Sequence, residues 1–415
     1  MNLRRLDRAA DGLAADLGLY LVSAVFALVT ALTSTLLPHR AWGSVAAWGY
    51  AAATLAVVVQ LLLARSGRTV TTRYRALLAW LTWVAVALLP LVVQAVQRAG
   101  GRTDRAQEEV LVVEHMGESL LSTGTPYLSR AEIAAIPLDE RLLGYRPYQP
   151  GMAVFGLPRG FAGDHWWTDA RLWFAIATVA ALAAAVTLLR STPSRVRAIQ
   201  SATVLPVTAL TLATGGDDIP VLALCLLALA LTAAGRWGWA GAAAGAAAAC
   251  KLFALPVVAV LVVLAVATGH WRRLLPPALG LPLLALIPPL LTDADALVEN
   301  VLRFPLGHGL VTSPAQSPFP GYLISQALPG GRYVAAGLLI AAAAVIGLLL
   351  IRRPPRDARS AALFCGFGLL AAILLMPTTR FGYILYPAAF LIWASALSKD
   401  TATTAARRDT ALYRQ

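Results

Sequence analysis

The chain has 415 residues, 58% of them hydrophobic and only 13% charged, with a formal net charge of +13 and a mean hydropathy of +0.69. A soluble protein of this length would carry about 25% charged residues, so that composition excludes a soluble enzyme and points to a polytopic α-helical membrane protein. The three cysteines, Cys225, Cys250 and Cys365, lie in apolar runs at spacings that fit neither a disulfide framework nor a zinc site.

In chain order, residues 1–18 are too polar for the apolar core of a signal peptide, and the first apolar run is long enough to be a retained helix. Twelve apolar segments follow: 19–37, 44–64, 76–97, 172–189, 199–213, 219–234, 238–250, 253–268, 275–291, 333–351, 361–376 and 382–397. Segments 238–250 and 253–268 are short enough to form a hairpin instead of two crossings. With the N-terminus placed in the cytoplasm, inner connections hold 21 Arg/Lys and 6 Asp/Glu, and outer ones 12 Arg and 15 Asp/Glu. This is the positive-inside pattern of a multi-pass cell-membrane protein with both termini cytoplasmic. The basic balance therefore reflects contact with the bilayer and its anionic headgroups, and no nucleic-acid partner is expected.

Two outer loops, 98–171 and 292–332, are long for a compact bundle and are the expected home of function. The first opens with "EEVLVVEHMGESLLSTG", in which Glu109, Val112, Val113, Met116, Leu120 and Leu121 recur mainly every three or four residues. That period predicts an interfacial helix bearing Glu108, Glu109, Glu114 and Glu118. A partly buried carboxylate at a membrane surface is a candidate general base, although each of these could equally be part of a solvated face. Further along, Trp166 and Trp167 suit an interfacial belt.

The stretch "TGGDDIP" sets Asp217 and Asp218 between two apolar segments. Asp218 suits the N-cap of the next helix, with Pro220 in its first turn. Asp217 has no such role, and adjacent carboxylates are usually kept near a cation, a metal or a hydroxyl ligand. Lys251 follows the small-residue run "AGAAAGAAAAC", which allows close helix packing. It is the only lysine before Lys399. A lysine within an apolar segment is expected to be functional, as a ligand for a lipid phosphate, unless it snorkels from the segment end. Arg380, in the short turn "PTTRFGY", and Arg303, at the start of the second loop, could each clamp a phosphate or a sugar hydroxyl, or simply anchor at the interface.

No nucleotide-binding loop, zinc motif or nucleophile elbow is found. An enzyme working outside the cell has no nucleotide sugar to hand, which leaves a lipid-linked donor. No cofactor is called for, although a carboxylate pair could hold a divalent metal. A transporter or flippase is the alternative from another class, with Lys251 and the acids as a relay. The absence of matched halves weighs against it.

Three stretches, "EEVLVVEHMGESLLSTGTPYL", "YRPYQPGMAVFGLP" and "GGDDIPVLALCLLALALTAAGRWGWAGAAAGAAAACKLFALPV", resemble glycosyltransferase family 87 of the GT-C superfamily, the polyprenyl-phosphate-mannose-dependent mannosyltransferases of actinobacteria. With the hydropathy plan the likeness covers roughly residues 95–400. It implies an all-α GT-C-like bundle of about 12 membrane segments and transfer of a sugar, mannose first and arabinofuranose as a rival, to a lipid or glycan acceptor outside the cell. It makes Glu109 the counterpart of the family's base, with Glu108 or Glu114 next; the family usually has Asp there. Asp217 and Asp218 stand where Gln or Asn is common and could share that role or hold hydroxyls. Lys251, Arg380, Arg303, Tyr127, Tyr145, Tyr148 and Tyr383 are the expected substrate contacts. Residues 1–75, with two membrane helices additional to the family plan, would precede a catalytic domain at 76–400, and 401–415 would be a disordered cytoplasmic tail.

Overall fold

The computed structural model describes residues 12–190 and 192–398; the tail expected at 401–415 lies outside them. The apolar segments fall on helices, with segment 199–213 divided between two. Among the described residues, eight spans are long and apolar enough to cross a membrane. They begin with α1 (Leu13–Thr33), α2 (Leu37–Arg65) and α3 (Thr72–Ala99). The first outer loop carries α4 (Glu108–Thr123), α5 (Arg130–Ala135) and α6 (Leu157–Ala162). Then come α7 (Ala170–Leu188), α8 (Pro193–Thr203), α9 (Pro206–Thr214), α10 (Asp218–Ala233), α11 (Trp237–Cys250), α12 (Leu255–Ala267) and α13 (Trp271–Thr292). The chain closes with α14 (Ala294–Val298), α15 (Pro320–Ala327), α16 (Gly331–Arg352), α17 (Ala358–Leu375) and α18 (Leu385–Ala396). The protein is an all-α, multi-pass membrane protein.

Breaks in the helices are met by side chains from α2. In α3, Pro90 has no N–H to offer the carbonyl of Val86, and the helix widens to a π-turn over Val84–Leu88. The Trp42 indole donates to that orphaned carbonyl at 2.7 Å. The kink between α8 and α9, set by Pro206, leaves the Val204 carbonyl to the Tyr50 hydroxyl at 2.8 Å. The two N-terminal helices are thus packed into the same core as the rest.

At one end of the bundle a buried cluster ties α1, α3 and α8. Asp16 accepts from Arg75 at 2.6 Å and from the Gln200 amide at 2.9 Å, and pairs with Arg197. At the other end sits the first outer loop. Gly117 of α4 meets Gly156 backbone to backbone; a Cβ at Gly156 would lie 2.0 Å from the Val113 carbonyl oxygen. Only glycine admits this approach, which packs the outer loop on itself, α4 against the start of α6. The expected small-residue packing is equally literal. Gly241 and Gly245 of α11 face the backbone of α13, where added Cβ atoms would lie 2.2 and 2.4 Å from the carbonyl oxygens of Leu274 and Pro277.

Four helices, α10, α11, α12 and α18, have 16, 14, 13 and 12 residues. At 1.5 Å per residue they extend about 18–24 Å, less than the ~30 Å hydrocarbon core. Each has one end at the same place, and that shortness leaves room for a cavity.

Candidate active site

A cavity of about 660 Å³ opens where α9 ends, α10, α12 and α18 begin and α11 ends. Gly215 and Gly216 make the turn between α9 and α10. Gly216 has φ of 87°, and a Cβ on Gly215 would fall 2.7 Å from the Gln107 side-chain oxygen. Asp217 and Asp218 follow, but neither caps α10: the helix starts at Asp218 without a side-chain cap. Both carboxylates instead take Lys251, whose Nζ donates to Asp217 Oδ2 at 2.7 Å and Asp218 Oδ1 at 2.5 Å. The capping expectation for Asp218 is corrected by this pairing. A buried ammonium outcompetes two backbone N–H groups for a charged acceptor.

Lys251 gets there because α11 ends at Cys250 and its own backbone is extended. The side chain therefore does not snorkel along a helix. It points inward, 7% exposed, with Nζ 5.2 Å from the Tyr148 ring centroid and 5.9 Å from that of Tyr383. The Tyr386 hydroxyl donates to Asp218 Oδ1 at 2.8 Å.

The acidic helix α4 is aligned by its first residues. Gln107 N–H donates to the Thr214 carbonyl at 3.0 Å, and the Gln107 side-chain oxygen accepts from the Thr214 hydroxyl at 2.9 Å. This sets Glu108 and Glu109 on the cavity wall beside Asp217. Glu109 forms an ion pair with Arg380. Glu108 is exposed and has no charged partner among the described residues. The turn that bears Arg380 is held by the second outer loop. Thr379 N–H donates to Ala315 O at 3.0 Å, Ser317 N–H to Thr379 O at 2.9 Å, and Phe381 N–H to Ser317 Oγ at 2.9 Å.

The tyrosines divide. Tyr148 and Tyr383 line the cavity next to Lys251. Tyr145 also reaches the wall, but its hydroxyl donates to Glu299 at 2.8 Å and its ring stacks on Phe304, with centroids 4.1 Å apart. Tyr127 is buried behind the wall, where its hydroxyl donates to the Tyr148 carbonyl at 2.8 Å. Gln149 N–H in turn donates to the Cys250 carbonyl at 3.1 Å. The "YRPYQP" stretch is thereby fastened to the residue before Lys251.

Glu114 and Arg303 are not brought to the cavity. Glu114 faces the other way, into a largely buried cluster with Arg98 at 2.6 Å, Arg159 at 3.2 Å and the Ala170 N–H at 3.1 Å. Asp169 joins through Arg98 and Arg171. Burial alone would raise the Asp169 carboxyl, but Arg171 and Arg98 hold it down to about 2. Arg303 pairs with Asp295 and Glu299. Among the cavity residues outside the sequence expectations are His39, in the first turn of α2 with no motif around it, and Gln107, which precedes the acidic run. Tyr386, three residues after Tyr383, lies behind the wall, buried against Asp218.

These features define a membrane-embedded protein with a cavity lined by two paired cations, four carboxylates and an apolar wall. The chain belongs to glycosyltransferase family 87, whose model matches residues 147–377, more than half of it. Among solved structures it is similar to ArnT from Cupriavidus metallidurans bound to undecaprenyl phosphate, at 17% identity and a TM-score of 0.45, over 76% of this chain and 59% of that one. The apo state of the same ArnT gives 19% identity and a TM-score of 0.42, over 72% of this chain and 56% of that one. The chain thus spans less than two thirds of the length of the solved relatives it matches. No curated protein matches.

Proposed function

We propose that the protein transfers a sugar, mannose first, from a polyprenyl-phosphate donor to an acceptor hydroxyl on the extracytoplasmic face, with inversion. The observation that carries this reading is the composition of this cavity. Arg380 and Lys251 stand at its polar end with Glu108, Glu109, Asp217 and Asp218. Val207 and Leu210 of α9, Leu369 and Ala372 of α17 and Met376 just beyond it form an apolar wall that suits a lipid tail. Membership of a glycosyltransferase family favours an enzyme over a carrier. Sidedness rests on the charge asymmetry of the connections. In keeping with it, the residues assigned to one face, Asp16, Arg75 and Arg197, gather at one end, and those assigned to the other gather around the cavity.

The donor phosphodiester takes the Arg380 guanidinium, and in doing so replaces Glu109. The released Glu109 carboxylate accepts the proton of the acceptor hydroxyl. The acceptor oxygen attacks the anomeric carbon from the face opposite the phosphate, and the bond from that carbon to the phosphate oxygen breaks. The electron pair leaves with the phosphate, which becomes a monoester with one more negative charge. Arg380 and Lys251 neutralise that charge as it develops, which is where fixed cations lower a barrier most. No acid is needed on the leaving group. Asp217 and Asp218 hold Lys251 in place and offer acceptors to sugar hydroxyls.

The test supplies membranes containing the protein with radiolabelled polyprenyl-phosphate mannose and, separately, polyprenyl-phosphate arabinofuranose. Labelled lipid or glycan product from the first is expected. Product from the second alone changes the sugar, and no product from either, or full activity in the Glu109→Gln, Asp217→Asn, Asp218→Asn triple variant, sinks the mechanism.

A further inference from the structure

A second cavity, of about 350 Å³, lies between the first turns of α3 and α8. Both spans start here and run toward the catalytic cavity: α8–α9 ends at its wall at Thr214, and α3 leads through a short connection to Gln107 and the acidic helix. At 1.5 Å per residue the 28-residue α3 separates the two by about 40 Å, so the same bound molecule cannot place its phosphate at both.

The polar rim of this cavity is Arg73, Arg195, Thr72 and Thr192. Neither guanidinium has a hydrogen-bond or ion-pair partner among the described residues, and Arg195 Nε is fully buried without one. This contrasts with Arg75 and Arg197, two residues further along the same helices, which share Asp16. The first turn of α3 has no side-chain cap. Tyr74 and Arg75 N–H bond to Thr71, leaving those of Thr72 and Arg73 open. Unpaired guanidinium groups and open amides in one recess recognise an oxyanion, and phosphate fits their fork geometry.

The apolar side of the recess is Ala76, Trp80 and Val196. Beyond it, Leu77, Leu81 and Val84 follow Arg73 at helical spacing and are 54, 59 and 50% exposed. Such a stripe on a membrane span faces lipid. A phosphate at Arg73 and Arg195 therefore has an acyl path directly beneath it, which a free phosphate would not use.

We infer that this recess binds the headgroup of an anionic phospholipid, at the end of the bundle opposite the active site. The site is independent of the donor reading. The test is native mass spectrometry of the purified full-length protein offered phosphatidylglycerol or phosphatidylcholine, with inorganic phosphate as competitor. Wild type should retain phosphatidylglycerol over phosphatidylcholine by roughly tenfold or more, as expected for two cations at an anionic headgroup. Arg73→Gln with Arg195→Gln should abolish that preference. The exposed pair Arg272→Gln with Arg273→Gln should leave it intact. Equal retention of the two lipids by wild type overturns the site, as does loss in the Arg272/Arg273 control to the same degree as in the double variant. Displacement by inorganic phosphate at lipid-like concentrations overturns the lipid assignment. Should the double variant fail to fold, the wild-type preference and Arg195→Gln alone decide.

Discussion

Helix α4 carries two glutamates five residues apart with opposite fates. Glu114 points into a closed cluster where Arg98, Arg159 and a backbone N–H saturate it. Glu109 points into the cavity and has a single counter-ion, Arg380, which is itself within reach of a ligand. The same residue type on one helix serves structure in one place and chemistry in the other. What separates them is whether the partner can be taken away. A phosphate can replace Glu109 on Arg380, whereas Glu114 is held by two guanidinium groups and a backbone N–H away from the cavity.

The largest effect expected is at Glu109. Glu109→Gln should lower turnover by about 10²–10⁴, the usual worth of a general base, with the melting temperature little changed. Because the internal competitor for Arg380 is gone, donor should bind more tightly in the same variant. A radiolabelled transfer assay with a separate donor-binding measurement reads both. Tighter binding with lost turnover sharpens the contrast, and weaker binding breaks it.

At Glu114 the loss should fall on stability. Glu114→Gln leaves Arg98 and Arg159 short of charge inside a buried cluster and should cost about 3–5 kcal/mol, measured by thermal unfolding in detergent. Turnover per folded molecule should stay within a fewfold of wild type. A catalytic loss as large as that of Glu109→Gln would show that the assignment of the two glutamates is reversed.

The helix and the cation of the cavity were readable in the chain, but the contrast between the two glutamates was not. The three- and four-residue apolar recurrence in "EEVLVVEHM" fixed a helix, and the solitary Lys251 marked the site because a lysine in an apolar segment is costly. The Lys251–Asp218 pairing was not readable. Capping chemistry is local and strong, and the competing ammonium lies 33 residues away, brought in by the early end of α11. Glu114 was hidden for the same reason, since its arginines come from positions 98, on another helix, and 159. Hydropathy located the helices but not the break at Val204–Leu205 or the π-turn of α3, because both keep the apolar pattern unbroken.

The closed cluster also makes a statement about pH. Asp169 is held at about 2, against an ordinary value of 3.8. A depressed carboxylate stabilises the fold fully above its unfolded value, and that stability drains away as pH falls toward 2. The difference corresponds to about 2 kcal/mol. Unfolding midpoints should therefore be flat in this contribution above pH 5 and drop below pH 4. Asp169→Asn should remove that drop. An unchanged acid limb would mean that Arg98 and Arg171 do not hold Asp169 as drawn.

Tyr386→Phe tests the cavity side of the comparison at its most closed point. Asp218 has two partners where Asp217 has one, since the Tyr386 hydroxyl adds to Lys251. Tyr386→Phe removes that hydroxyl alone and keeps the ring against Phe253, 5.5 Å between centroids. One hydrogen bond to a charged group is worth about 1.5–3 kcal/mol when lost. If Asp218 only steadies Lys251, the loss appears as reduced stability and weaker donor binding, with turnover at saturation unchanged. If Asp218 also holds a sugar hydroxyl as the bond to phosphate breaks, a less firmly held carboxylate lowers turnover itself. Saturation kinetics on the one variant thus decides whether the second aspartate belongs with Glu114, as part of the frame, or with Glu109.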